Sequence, residues 1–397
     1  MEPDCRDDRK TSFQNGAYDQ PAFERISSKE IRIRGIDLAR QILRGDGFRQ
    51  AGFMADIANR FTRSSRAPVL FQEGEAHRKQ RSATALFFAP RTVATHYRRL
   101  IEEKCARLMS DLRTTGRADL DAMGMELSVA VTAAIVGLTD SSQSDLSNRL
   151  SSFSADKDPE GVGPLANAAR MALAFWRMLR FFFCDVMPAI RSRRDVGRDD
   201  IISHLIDQGC STREILTECI TYGAAGVATT RELIVVAAWH LFDRPDLRKR
   251  FLDSDDAGRI VLLEEVLRLE PVVGALYRRA EQDIILNDGG RTEDVSAGTL
   301  LAIDIRAVNA DPAAAGVCPH RLDPDRQIQD HRLPGSLMSF GDGPHRCPGA
   351  AIALQESAIF LDHLFRVPGI RLAQAPTIAS NWVVESYELR GAVVACI

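Results

Sequence analysis

The sequence lacks the signals of several protein classes. Its 397 residues carry a formal net charge of -3, so no overall basic excess favours nucleic acid or an anionic membrane as the main partner. The eight cysteines form neither a C-x-x-C pair nor a zinc-ligand spacing, so we expect reduced thiols that are ordinary core or surface residues. What remains is the composition of a globular protein, with 45% hydrophobic and 26% charged residues.

Signals for secretion and membrane insertion are also missing. Residues 1–20 are polar and charged, without the basic-then-apolar order of a secretory leader. The apolar run Ala172–Ile190 is interrupted by Arg177 and Arg180 and broken by Pro188, which indicates an amphipathic helix instead of a membrane span. We therefore expect a cytoplasmic protein without a membrane anchor.

Periodicity predicts a mainly α protein with minor β structure. Helical spacing covers Thr92–Thr114, Leu120–Leu138, Arg213–Phe242, Gly258–Leu269 and Gly349–Phe365. Short β-rich pieces occur at Glu30–Arg34, Asp283–Leu286, Thr299–Ile303 and Val383–Val394. We expect a flexible segment over residues 1–20 and one domain over 21–397, with a helix-rich lobe and a smaller β-rich lobe. The long irregular stretch Ala307–Ser339 would be unusual unless something such as a buried cofactor organises it.

The strongest local signal is a glycine-rich loop around one cysteine, running from Phe340 through Gly341, Gly343 and Cys347 to Gly349. Glycines allow tight turns and close approach to a flat ligand, and the N–H groups of the helix that follows favour a thiolate over a thiol. These properties suit an iron-bound sulfur. The alternative is a Gly-Pro turn that carries a buried structural cysteine.

This loop resembles the haem-binding loop of the cytochrome P450 family, whose F-x-x-G-x-x-x-C-x-G pattern it meets at Phe340, Gly343, Cys347 and Gly349. Gly341 and His345 strengthen the match. The resemblance implies the P450 fold, a single triangular domain that holds haem b, with Cys347 as the axial iron ligand and His345 facing a propionate. A thiolate ligand favours O–O cleavage and hence oxygen activation.

Three further motifs occur in the order of that family. Glu265 and Arg268, spaced i,i+3 on one helix, are similar to its structural pair, which joins this helix to the segment before the haem loop. His77 and Arg81, spaced i,i+4, resemble its propionate ligands. Arg278 resembles a further propionate ligand and is preferred on spacing, although Arg279 is an alternative.

The longest predicted helix contains Ala225-Gly226-Val227-Ala228-Thr229, which resembles the oxygen-binding signature A-G-x-(D/E)-T. The resemblance implies that Gly226 makes room and that Thr229 offers a hydroxyl near bound oxygen. A mid-helix threonine can bond back to a carbonyl and open a small groove. Ala228 replaces the usual acid, which puts ordinary proton delivery in doubt; Glu232, four residues later, is expected either to substitute for it or to pair at the surface with Arg231.

Three functions stay open at this point. The first is a monooxygenase that uses O2 and electrons from an external ferredoxin and its reductase, because nothing in the chain suggests a flavin or iron–sulfur site. The second, prompted by Ala228, is a haem-thiolate enzyme that works by peroxide-driven oxidation, oxidative coupling or rearrangement. The third is a haem protein that senses or stores a small ligand.

Recognition elements are less well defined. A hydrophobic small molecule, such as a natural-product intermediate, is expected under variable loops at Phe48–Phe71 and Ser152–Ile190, with Val273, Gly274 and Ala275 as further lining residues. Basic side chains expected either to dock the ferredoxin or only to be solvated are Arg78, Lys79, Arg98, Arg99 and Arg346. Asn309-Ala310-Asp311-Pro312 departs from the family's N-R-D-P, which raises a question of stability.

Overall fold

The computed structural model describes residues 5–11, 20–52, 67–153 and 164–397. The helices are α1 (Ile36–Arg44), α2 (Gly74–Phe88), α3 (Arg98–Thr115), α4 (Leu120–Val136), α5 (Gln143–Phe153), α6 (Pro164–Phe181), α7 (Met187–Asp195), α8 (Ile201–Asp207), α9 (Thr212–Asp243), α10 (Pro245–Asp253), α11 (Asp256–Leu269), α12 (Ile305–Asn309), α13 (Pro312–Ala315) and α14 (Ala350–Phe365). The strands are β1 (Phe23–Ser27), β2 (Glu30–Ile33), β3 (Phe48–Ala51), β4 (Arg117–Asp119), β5 (Ala275–Ala280), β6 (Ile284–Asn287), β7 (Thr292–Val295), β8 (Leu300–Asp304), β9 (Arg371–Gln374), β10 (Thr377–Asn381), β11 (Ser386–Arg390) and β12 (Val393–Ala395). Within these ranges no helix is both long and apolar enough to cross a membrane.

The larger hydrophobic core is helical and surrounds α9. This helix of 32 residues is capped at its N-terminus by Ser211, whose hydroxyl accepts from the Glu214 N–H while the Glu214 carboxylate accepts from the Ser211 N–H. Its apolar second half, including Leu233–Ala238, is buried between α4, α11 and α14. A helix that is buried on several faces lies in the interior of the molecule.

The smaller core lies under a mixed five-stranded sheet in the order β1-β2-β8-β5-β3. Only β2 and β8 are parallel in this sheet, with Ile31 opposite Leu301 and Ile33 opposite Ile303. These four side chains are fully buried and pack with α1, which places α1 against the loop at Gly343–His345. The β-rich lobe therefore supports the cysteine loop from one side.

Observed elements match the predicted helices to within a few residues, except that the first opens with a π-helical turn at Val93–Tyr97. The expected break at Pro188 is wrong. A π-helical turn at Phe182–Val186 leads into α7, where the proline occupies the first turn and needs no N–H donor. The segment predicted as an amphipathic helix is thus helical throughout.

Part of the N-terminal segment lies against the body of the protein. Residues 5–11, which we expected to be flexible, pack against the body of the protein, and Thr11 is 1% exposed. Cys5 is joined by a disulfide to Cys318, 313 residues away. The expectation that every cysteine is a reduced thiol is therefore wrong for this pair, because the fold brings together two residues whose sequence spacing carries no signal.

Candidate functional site

The backbone of the cysteine loop turns tightly at two glycines. Gly341 and Gly343 both have positive φ values, of 69° and 67°. A Cβ on Gly343 would lie 2.4 Å from the Leu43 carbonyl oxygen at the end of α1. The Cys347 N–H donates to the Phe340 carbonyl at 2.8 Å and closes the loop. Glycine is therefore needed at position 343 both for its conformation and for close packing.

The ion pairs of Asp342 anchor the loop to α1. Its carboxylate accepts from the Arg44 guanidinium at 2.8 and 3.0 Å and lies 3.5 Å from Arg40. The same side chain caps the short 3-10 turn by accepting from the Gly343 N–H at 2.7 Å. Sequence reasoning missed this anchor because its partners lie about 300 positions earlier in the chain.

Cys347 sits where α14 begins. The residue is exposed but has protein around it at longer range, and this desolvation raises the pKa of the thiol. The pKa of the thiol is lowered, against this effect, by the N–H groups of Gly349 and Ala350 and by the positive charges of Arg81 and Arg346. Such donors would favour the sulfur as an anion when a cation is bound to it.

Four predicted propionate ligands converge beside this loop. The His77 ring, 3% exposed, stacks on the His345 ring with centroids 4.0 Å apart. Burial lowers the pKa of His77 to about 4, so its imidazole is neutral near pH 7. Arg81 donates to the Arg346 carbonyl at 2.6 Å, and burial lowers the pKa of Arg278 to about 10. The fold thus collects two guanidinium groups and two imidazoles, which α2, β5 and the loop supply.

Strand alternation separates Arg278 from Arg279. The Arg278 side chain is 4% exposed and donates to the Gln50 side chain, whereas Arg279 donates to the Gly298 carbonyl at 2.9 Å in an exposed position. This placement favours Arg278, the residue preferred on spacing.

Glu73 is a member of the cluster that the sequence analysis missed. Its carboxylate accepts from the Gln50 N–H at 2.5 Å and lies 3.0 Å from the His345 Nε2. The His345 partner and the Gln50 N–H lower the pKa of Glu73 against the opposing effect of burial. A negative charge therefore already lies among the cationic groups.

A haem fits this set of donors. A cavity of about 330 Å³, within the usual range for ligand sites, adjoins the cysteine loop and is lined by Arg81, Ser82, Thr84, Ala85, Phe88 and Pro348. The thiol of Cys347 supplies a soft ligand for iron, and the cationic cluster supplies partners for carboxylates. No cluster of three His, Cys, Asp or Glu side chains suited to another metal occurs in the part of the chain that the structure describes.

The Glu265–Arg268 pair is buried and extensively bonded. Its atoms meet at 2.6 and 2.9 Å, and Arg268 also donates to the carbonyls of Asn309 and Pro319. Glu265 in turn accepts from Arg326 and from the Asp323 N–H, each at 3.0 Å. The pair thereby organises much of the irregular stretch 307–339.

Asn309 links that stretch to the cysteine loop. Its amide donates to the Arg268 carbonyl at 3.1 Å and to the Ser339 hydroxyl at 2.8 Å, and its oxygen accepts from the Met338 N–H at 2.9 Å. Asp311 accepts from the Ile36 N–H and caps α13. These bonds do not involve Ala310, so the departure from N-R-D-P leaves the junction complete.

The motif in the middle of α9 contains one local side-chain hydrogen bond. Thr229 Oγ donates to the Ala225 carbonyl at 2.6 Å, the predicted back-bond. A Cβ on Gly226 would lie 3.0 Å from the Thr132 Oγ1 of α4. The glycine therefore has a packing role that sequence reasoning did not foresee, since it lets two helices approach closely.

Glu232 is not placed to replace the acid missing at Ala228. Its carboxylate, 3% exposed, pairs with Arg231 at 2.7 Å and with Arg390 at 2.8 Å, and accepts from the Leu389 N–H at 2.8 Å. The pairing with Arg231 is therefore buried, not at the surface as we expected. Fully engaged in joining α9 to β11, this carboxylate is a structural group.

The structure describes only part of the segments that we expected to bind the substrate. Residues 53–66 and 154–163 of the two variable segments lie outside the described residues, and the rest of the second segment is largely helical. Gly274 donates its N–H to the Val384 carbonyl, and a Cβ on it would lie 2.0 Å from the Glu385 carbonyl oxygen. The loop after α11 is thus packed tightly against the turn before β11, with Val273 half-buried and Ala275 at the start of β5.

Comparisons with known proteins agree with this geometry. The sequence profile of the family described as Cytochrome P450 matches residues 261–367. Mycinamicin IV hydroxylase/epoxidase of Micromonospora griseorubida is 31% identical over 333 residues, which span 81% of this chain and 77% of that protein. 6-Deoxyerythronolide B hydroxylase of Saccharopolyspora erythraea is 25% identical over 329 residues, 81% of this chain and 74% of its own. The solved structure of P450BioI with an acyl carrier protein ligated to hexadec-9Z-enoic acid superposes with a TM-score of 0.76 at 22% identity, covering 93% of this chain and 92% of its own.

Proposed function

Since the chain belongs to the cytochrome P450 family of haem-thiolate monooxygenases, we propose that it inserts one atom of O2 into a hydrophobic small molecule of natural-product metabolism. The observation that carries the proposal is the position of Cys347, at the helix start beside the cationic cluster. The hydroxylase relatives support the substrate class.

The cofactor in this proposal is haem b. Bound there, it supplies the oxygen activation that a thiolate ligand favours. Cys347 is the iron ligand, while Arg81, Arg278, His77 and His345 hold the propionates. Because Glu73 already takes one hydrogen bond from this cluster, the propionates share their donors with an internal carboxylate.

Three residues of α9 act on the reacting side in this proposal. The Thr229 hydroxyl donates to the Ala225 carbonyl one turn earlier and can accept from a water, and the small side chains at 225 and 228 leave space beside it. With Glu232 engaged elsewhere, proton delivery depends on Thr229 and water. Slow proton delivery and incomplete coupling of electrons to product are the expected consequences.

Electrons come from an external ferredoxin and its reductase. Of the five basic residues considered for docking, Arg98 pairs with Glu102 and Asp256, and Arg99 pairs with Glu103. Arg78, Lys79 and Arg346 are exposed near the cysteine loop and form the more suitable surface for an acidic partner.

A second candidate function is peroxide-driven oxidation by the same haem-thiolate site. Ala228 and the engaged Glu232 favour it, because a peroxide brings its own protons and electrons and needs no acid at position 228. Labelled O2 separates the two. Monooxygenation puts one labelled atom into the product with NAD(P)H and redox partners, whereas the peroxide route runs on hydrogen peroxide alone.

The primary test is the spectrum of the purified, reduced protein with carbon monoxide. We expect a strongly red-shifted Soret maximum in the native protein and its loss in Cys347→Ser, with Cys184→Ser, at an exposed free cysteine, as the control. A native protein without the red shift would refute thiolate ligation. Substrates are then sought by the spectral shift that they cause in a compound panel.

The variant Ala228→Asp tests the proton-delivery argument. We expect ferredoxin-driven coupling to rise several-fold and peroxide-driven turnover to stay unchanged. Equal coupling in the two proteins would show that position 228 does not limit proton delivery.

A further inference from the structure

A seven-residue N-terminal strap, residues 5–11, crosses the surface beside the Glu265–Arg268 pair. At one end Cys5 is bonded to Cys318, and at the other Thr11 is buried against Glu270. Exposure falls steadily along the strap, from Cys5 at the surface to Thr11. Cys5 is therefore the exposed end of an otherwise anchored segment, and it is bonded to Cys318, which is 9% exposed.

The inner end of the strap satisfies a buried carboxylate. Glu270, 1% exposed, accepts from the N–H groups of Lys10 and Thr11 and from the Thr11 hydroxyl. Within the fold its other side-chain partner is His240, at 3.1 Å. If the strap leaves, this carboxylate at the end of α11 loses three hydrogen bonds and gains access to water.

The middle of the strap contacts the irregular stretch that holds Arg268. The Asp8 N–H donates to the His320 carbonyl at 3.0 Å, and the Asp8 carboxylate accepts from the Leu322 N–H at 2.9 Å. Between them lies Arg321, whose carbonyl accepts from Arg268 at 3.4 Å, and the carbonyl of the preceding Pro319 accepts from Arg268 at 2.8 Å. The strap thus braces the carbonyls that bind the buried guanidinium.

Apart from the disulfide and the hydrogen bonds to Glu270, His320 and Leu322, the strap is held by part-exposed interactions. Lys10 pairs with Asp243 and lies 4.8 Å over the Trp239 ring, and Arg9 pairs with Asp7 within the strap itself. Exposed ion pairs contribute little, and segments with few buried contacts open at low free-energy cost. A covalent link at the exposed end therefore keeps the outer part of the segment docked when these weaker interactions open.

We propose that the disulfide between Cys5 and Cys318 is redox-sensitive. The strap stays docked while the disulfide is oxidised and is released when a thiol reduces it. The disulfide takes up two electrons and two protons to give two thiols, and a dithiol reductant becomes its own cyclic disulfide. Release loosens the carbonyls around Arg268 and weakens haem retention. The inference is independent of the reaction that the enzyme catalyses.

The first experiment is limited trypsin digestion of the full-length holoprotein, because the strap carries cleavage sites at Arg6, Arg9 and Lys10. We expect cleavage at these sites to be at least about tenfold faster after treatment with dithiothreitol, since proteolysis follows the open population. Cys5→Ser should be cleaved at the fast rate with or without reductant, and Cys184→Ser should behave as the native protein. Equal rates for the native protein in both redox states would overturn the proposal, as would failure of the pair to oxidise with diamide.

The second experiment measures haem transfer to excess apomyoglobin without reductant. Cys5→Ser is expected to lose haem several-fold faster than Cys184→Ser. Fast trypsin cleavage with unchanged haem transfer would refute the link to the Arg268 region. Because neither readout needs turnover, failure here is distinct from failure of the proposed monooxygenase reaction.

Discussion

The two parts of the proposed site, the cysteine loop with its supports (the loop side) and the motif around Thr229 in α9 (the helix side), are built on different principles. On the loop side, Cys347 is held by glycine geometry, by Asp342 and by the buried network around Arg268. On the helix side, Thr229 depends on one bond to its own helix, and the neighbouring acid is absent at Ala228. The loop side thus couples the site to folding, whereas the helix side can change its chemistry without disturbing the structure.

The largest effect on stability is expected from Arg268→Ala on the loop side. It leaves Glu265 buried without its main partner and removes the donor to the Pro319 and Asn309 carbonyls. Breaking such a buried pair costs about 3–5 kcal/mol of unfolding free energy, measured by urea denaturation with haem content in parallel. The control is Arg250→Ala, whose pair with Asp325 is exposed and should contribute under about 1 kcal/mol. Similar losses in the two variants would contradict the proposed coupling.

Gly343→Ala tests the backbone of the loop directly. The new Cβ would meet the Leu43 carbonyl oxygen at a residue with positive φ, and we expect a loss of about 3 kcal/mol together with weaker haem binding. Gly74→Ala is the matched control, since it has φ of 61° and no atom within 4 Å of its added Cβ. There only backbone strain of about 1 kcal/mol should appear. If both variants are equally stable, close packing of the loop on α1 is unimportant.

Glu356, on α14 behind the cysteine loop, should make stability depend on pH. It is 3% exposed, accepts from the Ser128 hydroxyl at 2.9 Å, and burial raises its pKa to about 8. Between about pH 4.5 and 8 the folded protein keeps a proton that the unfolded chain has lost, so stability falls as pH rises through this window.

Glu356→Gln should remove this fall, which is at most about 1.4 kcal/mol per pH unit. Unfolding curves at several pH values, with the exposed Glu103→Gln as control, provide the measurement. Parallel pH profiles for native protein and Glu356→Gln would show that the carboxyl is already ionised in the folded state.

The smallest expected effect on the fold comes from Thr229→Ala on the helix side. We expect unchanged stability and haem content but about tenfold poorer coupling of NAD(P)H to product, equivalent to about 1.4 kcal/mol. Thr221→Ala is the control, because its hydroxyl makes the same back-bond, to Thr217 at 2.8 Å, two turns away. A loss of stability specific to Thr229→Ala would mean that the helix side also supports the fold.

The predicted P450 fold and mainly α class are confirmed by the solved structures that share the fold. The periodic apolar positions were sufficient to predict the long helices, because the apolar face of a helix is encoded by residues close together in the sequence. The π-helical turn before Pro188 was not predictable in this way, since it depends on neighbouring helices that accept the wider turn.

The roles of residues with distant partners could also not be predicted from the sequence. Glu73 belongs to no motif in the sequence, and its role depends on the fold, which places its carboxylate beside the Gln50 N–H and the His345 ring. Glu232 was a candidate proton donor until Arg390 and the Leu389 N–H were found to occupy it. The roles of the propionate ligands and of Thr229 stay predictions, although the fold collects His77, Arg81, Arg278 and His345 beside the cysteine loop.

The cysteine loop, the order of the supporting motifs and the long helices could be predicted from the amino-acid sequence, because each depends on residues within a few positions of one another. The partners of the buried carboxylates and the pairing of the cysteines became visible only in the three-dimensional fold. Cys5 and Cys318 are 313 residues apart, and Asp342 reaches α1 across almost 300 residues. Such contacts follow from how helices and sheets pack, and no local spacing encodes them.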